Sequence, residues 1–292
     1  MIKILYNKGI VSIIIFGGSG RLGSAITQYA KSKKLKYISV GNQKKCDLNL
    51  DLTKKDVIKI LKKYKPKIIF NCIALTDVDF CNKDIHKAYD INVSIVSNLA
   101  NSVIKSKIST KLVHISTDQI YNNYQKYKAN NENNINPSNS YSVTKYLGEL
   151  AALKYKNSLV IRTNFFGKSY FKNKQTYSDY IRTNLTRKKK IKVPNNIIFN
   201  PINLSTLVEN LFLISESNLK GIFNLGSKDS ISKYNFDKKV AKKFKLNNLY
   251  IVPFKSVYKK DIRPLGTFMD VKKFESKTGV KLPNIDYGIS IL

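Results

Sequence analysis

The chain has 292 residues, room for roughly two domains, and is 42% apolar and 11% aromatic, enough to bury a large core and to exclude a disordered chain. Lys and Arg number 52 against 19 Asp and Glu, a formal charge of +33. The cysteines, Cys46, Cys72 and Cys81, are odd in number and show no C-x-x-C spacing, which argues against a disulfide framework or a zinc site and points to a reducing cytoplasm.

In chain order, the β-branched run at 11–16, bounded by glycine, predicts a buried parallel strand. Lys3, Lys8 and the run up to Phe16 imitate a signal peptide, but cleavage there would destroy the glycine motif that follows, so the segment reads as part of the fold. A helix is predicted over 22–32 and a strand over 37–40. An amphipathic helix follows over 53–64, with Thr53 as its N-cap and Val57, Ile60 and Leu61 on one face. Pro66 ends it. Strands over 68–73, 112–116 and 158–162 then alternate with helices over 88–103 and 140–155, and the polar stretch 122–139 is a loop. Strand and helix in repeated alternation predict an α/β fold, a doubly wound parallel sheet. After Thr163 the rhythm breaks. Residues 221–225 read as one more strand returning to the sheet, and the rest, including 238–245, as a smaller cap. No later apolar run is long enough to span a bilayer.

Gly17-x-x-Gly20-x-x-Gly23 lies between the first strand and its helix. Glycine permits the tight turn and lets backbone N–H groups approach a pyrophosphate at the helix N-terminus. An acid roughly 20 residues further on would hold the 2′-hydroxyl of NAD. Gly41-Asn42-Gln43-Lys44-Lys45 has none, and these lysines with Arg21 suit the 2′-phosphate of NADP, so NADPH is the expected cofactor and NADH the alternative. Asp47 and Asp51 are candidates for the adenine, and Asp51 equally suits a helix start.

Ser116-Thr117-Asp118 ends a parallel strand, on the side where such sheets bind ligands. Tyr141 and Lys145 are four apart, on one helix face. An ammonium beside a phenol lowers the phenol's pKa and makes it a better proton donor. The positive charge draws anions, and nucleotide ligands answer to that as well as nucleic acid does. Sequence-specific readers of DNA favour Arg, yet only Arg21, Arg162, Arg182, Arg187 and Arg263 are present. Asn, Ile, Tyr, Phe and Lys are all abundant and share A/T-rich codons, so composition itself is a source of the charge. The run Arg187-Lys188-Lys189-Lys190 reads as a solvated helix end. No specific nucleic acid, membrane or metal is expected.

Several segments occur in a family order. They are Asn71-Cys72-Ile73-Ala74-Leu75-Thr76-Asp77-Val78-Asp79, Ala88-Tyr89-Asp90-Ile91-Asn92, and His114-Ile115-Ser116-Thr117-Asp118-Gln119-Ile120-Tyr121. Pro137 through Tyr141 and Lys145 to Glu149, Ile161-Arg162-Thr163, Asn200-Pro201-Ile202, and Ile262-Arg263-Pro264 with Asp270 follow. From Ile13 to about Phe274 the chain resembles the extended short-chain dehydrogenase/reductases and, within them, the dTDP-4-dehydrorhamnose reductases. The resemblance implies a Rossmann-type NADP-binding domain, residues 1–165 plus about 197–235, and a smaller substrate-binding domain, about 166–196 plus 236–292. It implies NADPH-dependent reduction, at C4, of a nucleoside-diphosphate 4-keto-6-deoxyhexose, in deoxysugar and surface-polysaccharide synthesis. Thr117, Tyr141 and Lys145 would be catalytic. Gly17, Gly20, Arg21, Leu22, Gly23, Asn42, Asp51, Leu52, Cys72, Ala74, Asn92 and Lys145 would surround the cofactor, and Thr76, Asp79, Thr117, Asp118, Asn164, Phe165 and Arg263 the substrate. Assembly as a homodimer is open to it. Two segments depart from the family pattern: Asn164-Phe165 stands where Ser-Trp is usual, and Gly266-Thr267-Phe268 where Asn-Ser-Arg is usual. The rival readings are an epimerase or dehydratase of the same superfamily, and a non-catalytic NADP-binding partner subunit. A dehydratase needs an Asp-Glu pair after the strand-end Thr, whereas Asp118-Gln119 follows Thr117 here.

Overall fold

The computed structural model describes residues 13–41, 46–50, 52, 57–123, 128–170, 175–257 and 263–292. Residues 11 and 12 of the first predicted strand, and the Thr53 cap, lie outside the described residues. Six strands in chain order, β1 (Ile13–Phe16), β2 (Tyr37–Gly41), β3 (Leu48–Asn49), β4 (Ile68–Asn71), β5 (Lys111–Thr117) and β6 (Ser158–Thr163), join a seventh, Gly221–Leu225, in one parallel sheet. Its order is β3-β2-β1-β4-β5-β6 and then Gly221–Leu225. The order reverses between β1 and β4, which opens a crevice at the carboxyl ends of the strands. The register sets Phe16 opposite Asn71, Asn71 opposite His114, and Thr117 opposite Thr163, so these residues share that edge.

The side-chain period of two sorts the core. Ile13 and Ile15 face one layer with Leu22, Ala25 and Ile26 of the Arg21–Ser32 helix and Leu207 and Leu211 of the Leu204–Glu216 helix. Ile14 and Phe16 face the other with Leu61, Leu99 and Val103. Continuous apolar strands buried on both faces are what a doubly wound sheet requires. The predicted helix over 88–103 is broken into shorter pieces. It is made of the end of Ile85–Tyr89, capped by Asp84, a wide π turn over Asp90–Ser94, and Ile95–Ser106; the short Val78–Lys83 helix, capped by Asp77, precedes it.

A separate apolar cluster collects Phe166, Ile181, Phe199, Phe236, Val240, Ile251 and Ile285 from the Tyr177–Thr186, Lys233–Lys243 and Ile285–Ser290 helices and short strand pairs. The sequence boundaries for the smaller lobe differ from this packing: Val271, Phe274 and Leu282, expected there, pack into the sheet's core instead. The Lys272–Thr278 helix carries Phe274 as its buried residue, and that side chain is what draws it to the sheet. Arg187 to Lys190 close the Tyr177–Thr186 helix in exposed positions, a solvated helix end. Among the described residues no helix is long and apolar enough to cross a membrane.

Candidate active site

The glycine turn is built by backbone constraint. Gly17 has φ +79, a conformation that disfavours side chains, and a Cβ there would lie 3.0 Å from the backbone of Cys72 and Ile73. A Cβ on Gly23 would lie 2.1 Å from the Gly17 carbonyl oxygen. Helix and strand therefore approach to a distance only glycine allows. The Arg21–Ser32 helix then begins at Gly20 with no side-chain cap and no acid in its first turn. Its first N–H groups are free of an internal acceptor, an arrangement suited to a pyrophosphate. The donor set and the open cradle fit a dinucleotide. Asp47, a candidate for the adenine, accepts at Oδ2 from the Ser39 amide and hydroxyl at 2.8 and 2.7 Å, where it braces the return from β2. Arg21 donates from Nε to the Gln175 carbonyl at 2.6 Å, so its side chain ties the glycine turn to the second lobe. Asn42, Asp51 and the lysines at 44 and 45 lie outside the described residues.

A cleft of about 600 Å³ runs from Gly20, Arg21, Leu22, Cys72 and Ala74 past Thr76, Thr117 and Asp118 to Tyr141, Lys145, Asn164 and Phe165. Predicted cofactor, catalytic and substrate residues thus share one cavity. Asn139 starts the Ser140–Leu153 helix with a reciprocal capping box to Ser142. That fixes the helix so that Tyr141 and Lys145, both buried, turn the same face toward the carboxyl end of β5. Lys145 Nζ donates to the Ile115 carbonyl at 2.7 Å. Burial lowers its pKa to about 8, against the charge of Glu149. Burial pushes the Cys72 thiol up to about 12. The Tyr141 phenol behaves differently from the sequence expectation. Burial pushes it well above its ordinary value, the Thr117 hydroxyl bonded to it pulls the other way, and Asp118 and Cys81 add to the rise. Desolvation outweighs the help expected from Lys145, whose ammonium is engaged by Ile115.

Both departures from the family pattern meet at Asp118. Asn164 Nδ2 and Thr267 Oγ1 donate to its Oδ2 at 2.8 and 2.7 Å. Burial raises the Asp118 pKa, while these two hydrogen bonds, the Lys233 charge and Thr117 oppose the rise. Sequence reading missed Gln175, Tyr177 and Tyr180, which also line the cleft, Gln175 beside Arg21. The two tyrosine rings lie nearly parallel, with centroids 6.5 Å apart. Their spacing of three at a helix start is the signal, but it is hidden among 18 tyrosines.

Other predicted residues do not line the cleft. Asn92 is fully buried and clamps Leu75, accepting from its amide at 2.9 Å and donating to its carbonyl at 3.2 Å. It thus holds the segment carrying Ala74 and Thr76 and acts from behind the wall. Leu52 is packed in the core with Phe16 and Val57. Asp79 and Arg263 face each other at 3.9 Å in exposed positions. Arg162 is buried in a bidentate pair with Glu149, at 2.6 Å for the shortest contact, and also donates to Tyr121 Oη at 2.8 Å. Its place is structural, joining β6 to the Ser140–Leu153 helix.

A family model described as the RmlD substrate binding domain matches residues 11–291. The chain is 25% identical to a dTDP-4-dehydrorhamnose reductase of Aggregatibacter actinomycetemcomitans, over 92% of this chain and 94% of that protein. It is also 25% identical to a spore coat polysaccharide biosynthesis protein of Bacillus subtilis, over 77% and 76%. Among solved structures, the dTDP-4-dehydrorhamnose reductase of Bacillus anthracis in complex with NADP superposes with a TM-score of 0.85 at 22% identity, covering 98% of each chain.

Proposed function

The chain belongs to the RmlD substrate-binding-domain family, and from that premise we propose that it is an NADPH-dependent reductase of a nucleoside-diphosphate 4-keto-6-deoxyhexose. The observation that carries the reading is the single cleft in which Thr117, Tyr141 and Lys145 converge beyond a glycine cradle. The NADP held by the Bacillus anthracis reductase supports the choice of cofactor. In this reading residues 1–165 with 197–235 mainly hold the cofactor, and the remaining lobe, apart from the 271–282 segment packed on the sheet, holds the nucleotide sugar. The protein would work in the cytoplasm in deoxysugar synthesis.

When bound, NADPH supplies the hydride for C4 of the sugar. Gly17, Gly20 and Gly23 give its pyrophosphate a backbone cradle, and Leu22, Cys72 and Ala74 wall the groove. Tyr141 gives its proton to the forming C4 alkoxide. Burial keeps the phenol protonated until then, so the donor is loaded at neutral pH. Thr117, bonded to the phenol, steadies the charge that proton transfer leaves behind. Lys145 supplies a buried positive charge on the same helix face and a donor for the nicotinamide ribose. Asp118, fixed by Asn164 and Thr267, offers an acceptor to the sugar. Gln119, in place of the acid a dehydratase requires, keeps the chemistry at reduction. The test is NADPH oxidation against 4-keto-6-deoxy sugars carried on dTDP, UDP, GDP and CDP. Turnover with at least one supports the reading, and consumption of none by a folded, NADPH-binding protein refutes it.

A further inference from the structure

Behind the substrate wall lies a charged cluster that the reaction above leaves unused. Lys233 and Asp237 open the Lys233–Lys243 helix four residues apart, on one face. Asp237 is fully buried, and neither carboxylate oxygen has a hydrogen bond of normal geometry. The Tyr177 phenol lies against it and interacts with it electrostatically. The Lys233 ammonium sits 5.9 Å from the Tyr177 ring centroid and 5.8 Å from that of Phe199. Tyr177 also stacks on Phe236, with centroids 5.9 Å apart at 17°. Burial depresses the Lys233 pKa, Asp118 and Asp237 oppose the fall, and the neighbouring Arg263 adds to it. Lys233 thus stands between two buried carboxylates, one on the cleft floor and one behind the cleft wall.

Stability does not explain such a pair. Burial raises the Asp237 pKa to about 7, against the Tyr177 hydroxyl and the Lys233 charge. A buried carboxyl so poorly partnered is expensive, and apolar residues of similar size generally serve a core as well or better. The pair does border the wall: the Lys233 ammonium lies over the Tyr177 ring, and its charge is one of several influences that favour ionised Asp118. We infer that Lys233 and Asp237 are positioning residues for the sugar-nucleotide end of the cleft, acting through Asp118 and Tyr177. The inference rests on the reductase reading. With Asp237, Lys233 holds Tyr177 against the nucleotide, and its charge adds to the Asn164 and Thr267 hydrogen bonds that keep Asp118 an acceptor for the sugar.

The experiment compares wild type, Lys233→Arg, Lys233→Met and the double variant Lys233→Met/Asp237→Leu. Readouts are KM and kcat for the best nucleotide sugar of the panel, the NADPH dissociation constant, and the melting temperature. Lys233→Met should lower the melting temperature and raise the sugar KM by about tenfold or more, with NADPH affinity within about twofold of wild type. The double variant removes the poorly partnered buried carboxyl as well, so it should recover the melting temperature but not KM. Lys233→Arg should keep KM near wild type. Recovery of both KM and melting temperature in the double variant would mean that the pair is merely structural and would overturn the inference. An unchanged KM in Lys233→Met would do the same. If Lys233→Met does not fold, the double variant decides alone. A wild-type protein that reduces no nucleotide sugar overturns the reductase reading and this inference with it, whereas an active wild type with unmoved KM overturns the inference only.

Discussion

Gly23→Ala tests the cofactor cradle where its geometry is tightest. The added Cβ would sit 2.1 Å from the Gly17 carbonyl oxygen and 2.9 Å from Gly18 Cα, where ordinary contact begins at 3.4 Å. The Gly17 oxygen already accepts the Gly20 amide at 2.8 Å, so it cannot retreat without opening the turn. Helix and turn must separate by about 1 Å, an overpacking expected to cost roughly 1–3 kcal/mol of stability. The same shift moves the N–H groups aimed at the pyrophosphate, and losing the equivalent of one such contact, about 1.4 kcal/mol, weakens NADPH about tenfold. Gly20→Ala meets only the Gly17 oxygen at 3.1 Å and should weaken NADPH less. Gly279→Ala is the control: its φ is +73 but nothing lies within 4 Å. It should lower the melting temperature through backbone strain of about 1 kcal/mol and leave NADPH binding alone. Fluorescence titration of NADPH and thermal denaturation of the three variants give both quantities. A Gly23→Ala protein that binds NADPH as wild type does would show that the cofactor does not lie on this turn.

Lys145 has a folded pKa near 8, below its ordinary value, so its charge is lost as pH rises through about 8. kcat/KM should therefore decline above that pH, and Lys145→Met should lose this limb along with much of its activity and some NADPH affinity. Arg162→Met should destabilise the protein by about 3–5 kcal/mol, because Glu149 is left as an uncompensated buried charge, and Arg162→Met/Glu149→Leu should recover most of the loss in a denaturant titration. NADPH should be preferred to NADH by kcat/KM, since no acid stands at positions 41–45 to receive a 2′-hydroxyl. Equal efficiency would refute that preference.

The sheet was legible because buried parallel strands are short β-branched runs bounded by turn residues, as at Ile13–Phe16 and Ser158–Thr163. The cradle and the Tyr141–Lys145 pair were legible because their spacing is local. Elements of the second half were less so. The Leu204–Glu216 helix is buried on most sides and shows no clean polar stripe. The turn at Asp90–Ser94 interrupts a helix without any Gly or Pro to announce it. The direction of the Tyr141 shift depends on burial and on the partner Lys145 chooses, neither of which spacing contains. Asn92 and Leu52 show the same limit: a residue near a site in sequence can serve it from behind. Lys233, Asp237 and Tyr177 come together only when two distant helices pack.

In the proposed mechanism Tyr141 delivers the proton in the reduction of a nucleotide sugar. Its most direct test is the steady-state rate of NADPH consumption by wild type and Tyr141→Phe with the best 4-keto-6-deoxy nucleotide sugar. The substitution removes one hydroxyl and keeps the ring, so folding and NADPH binding should survive. kcat should fall by about 10²–10⁴, as is typical of a lost general acid, with little change in KM. Turnover by Tyr141→Phe close to that of wild type would contradict the mechanism.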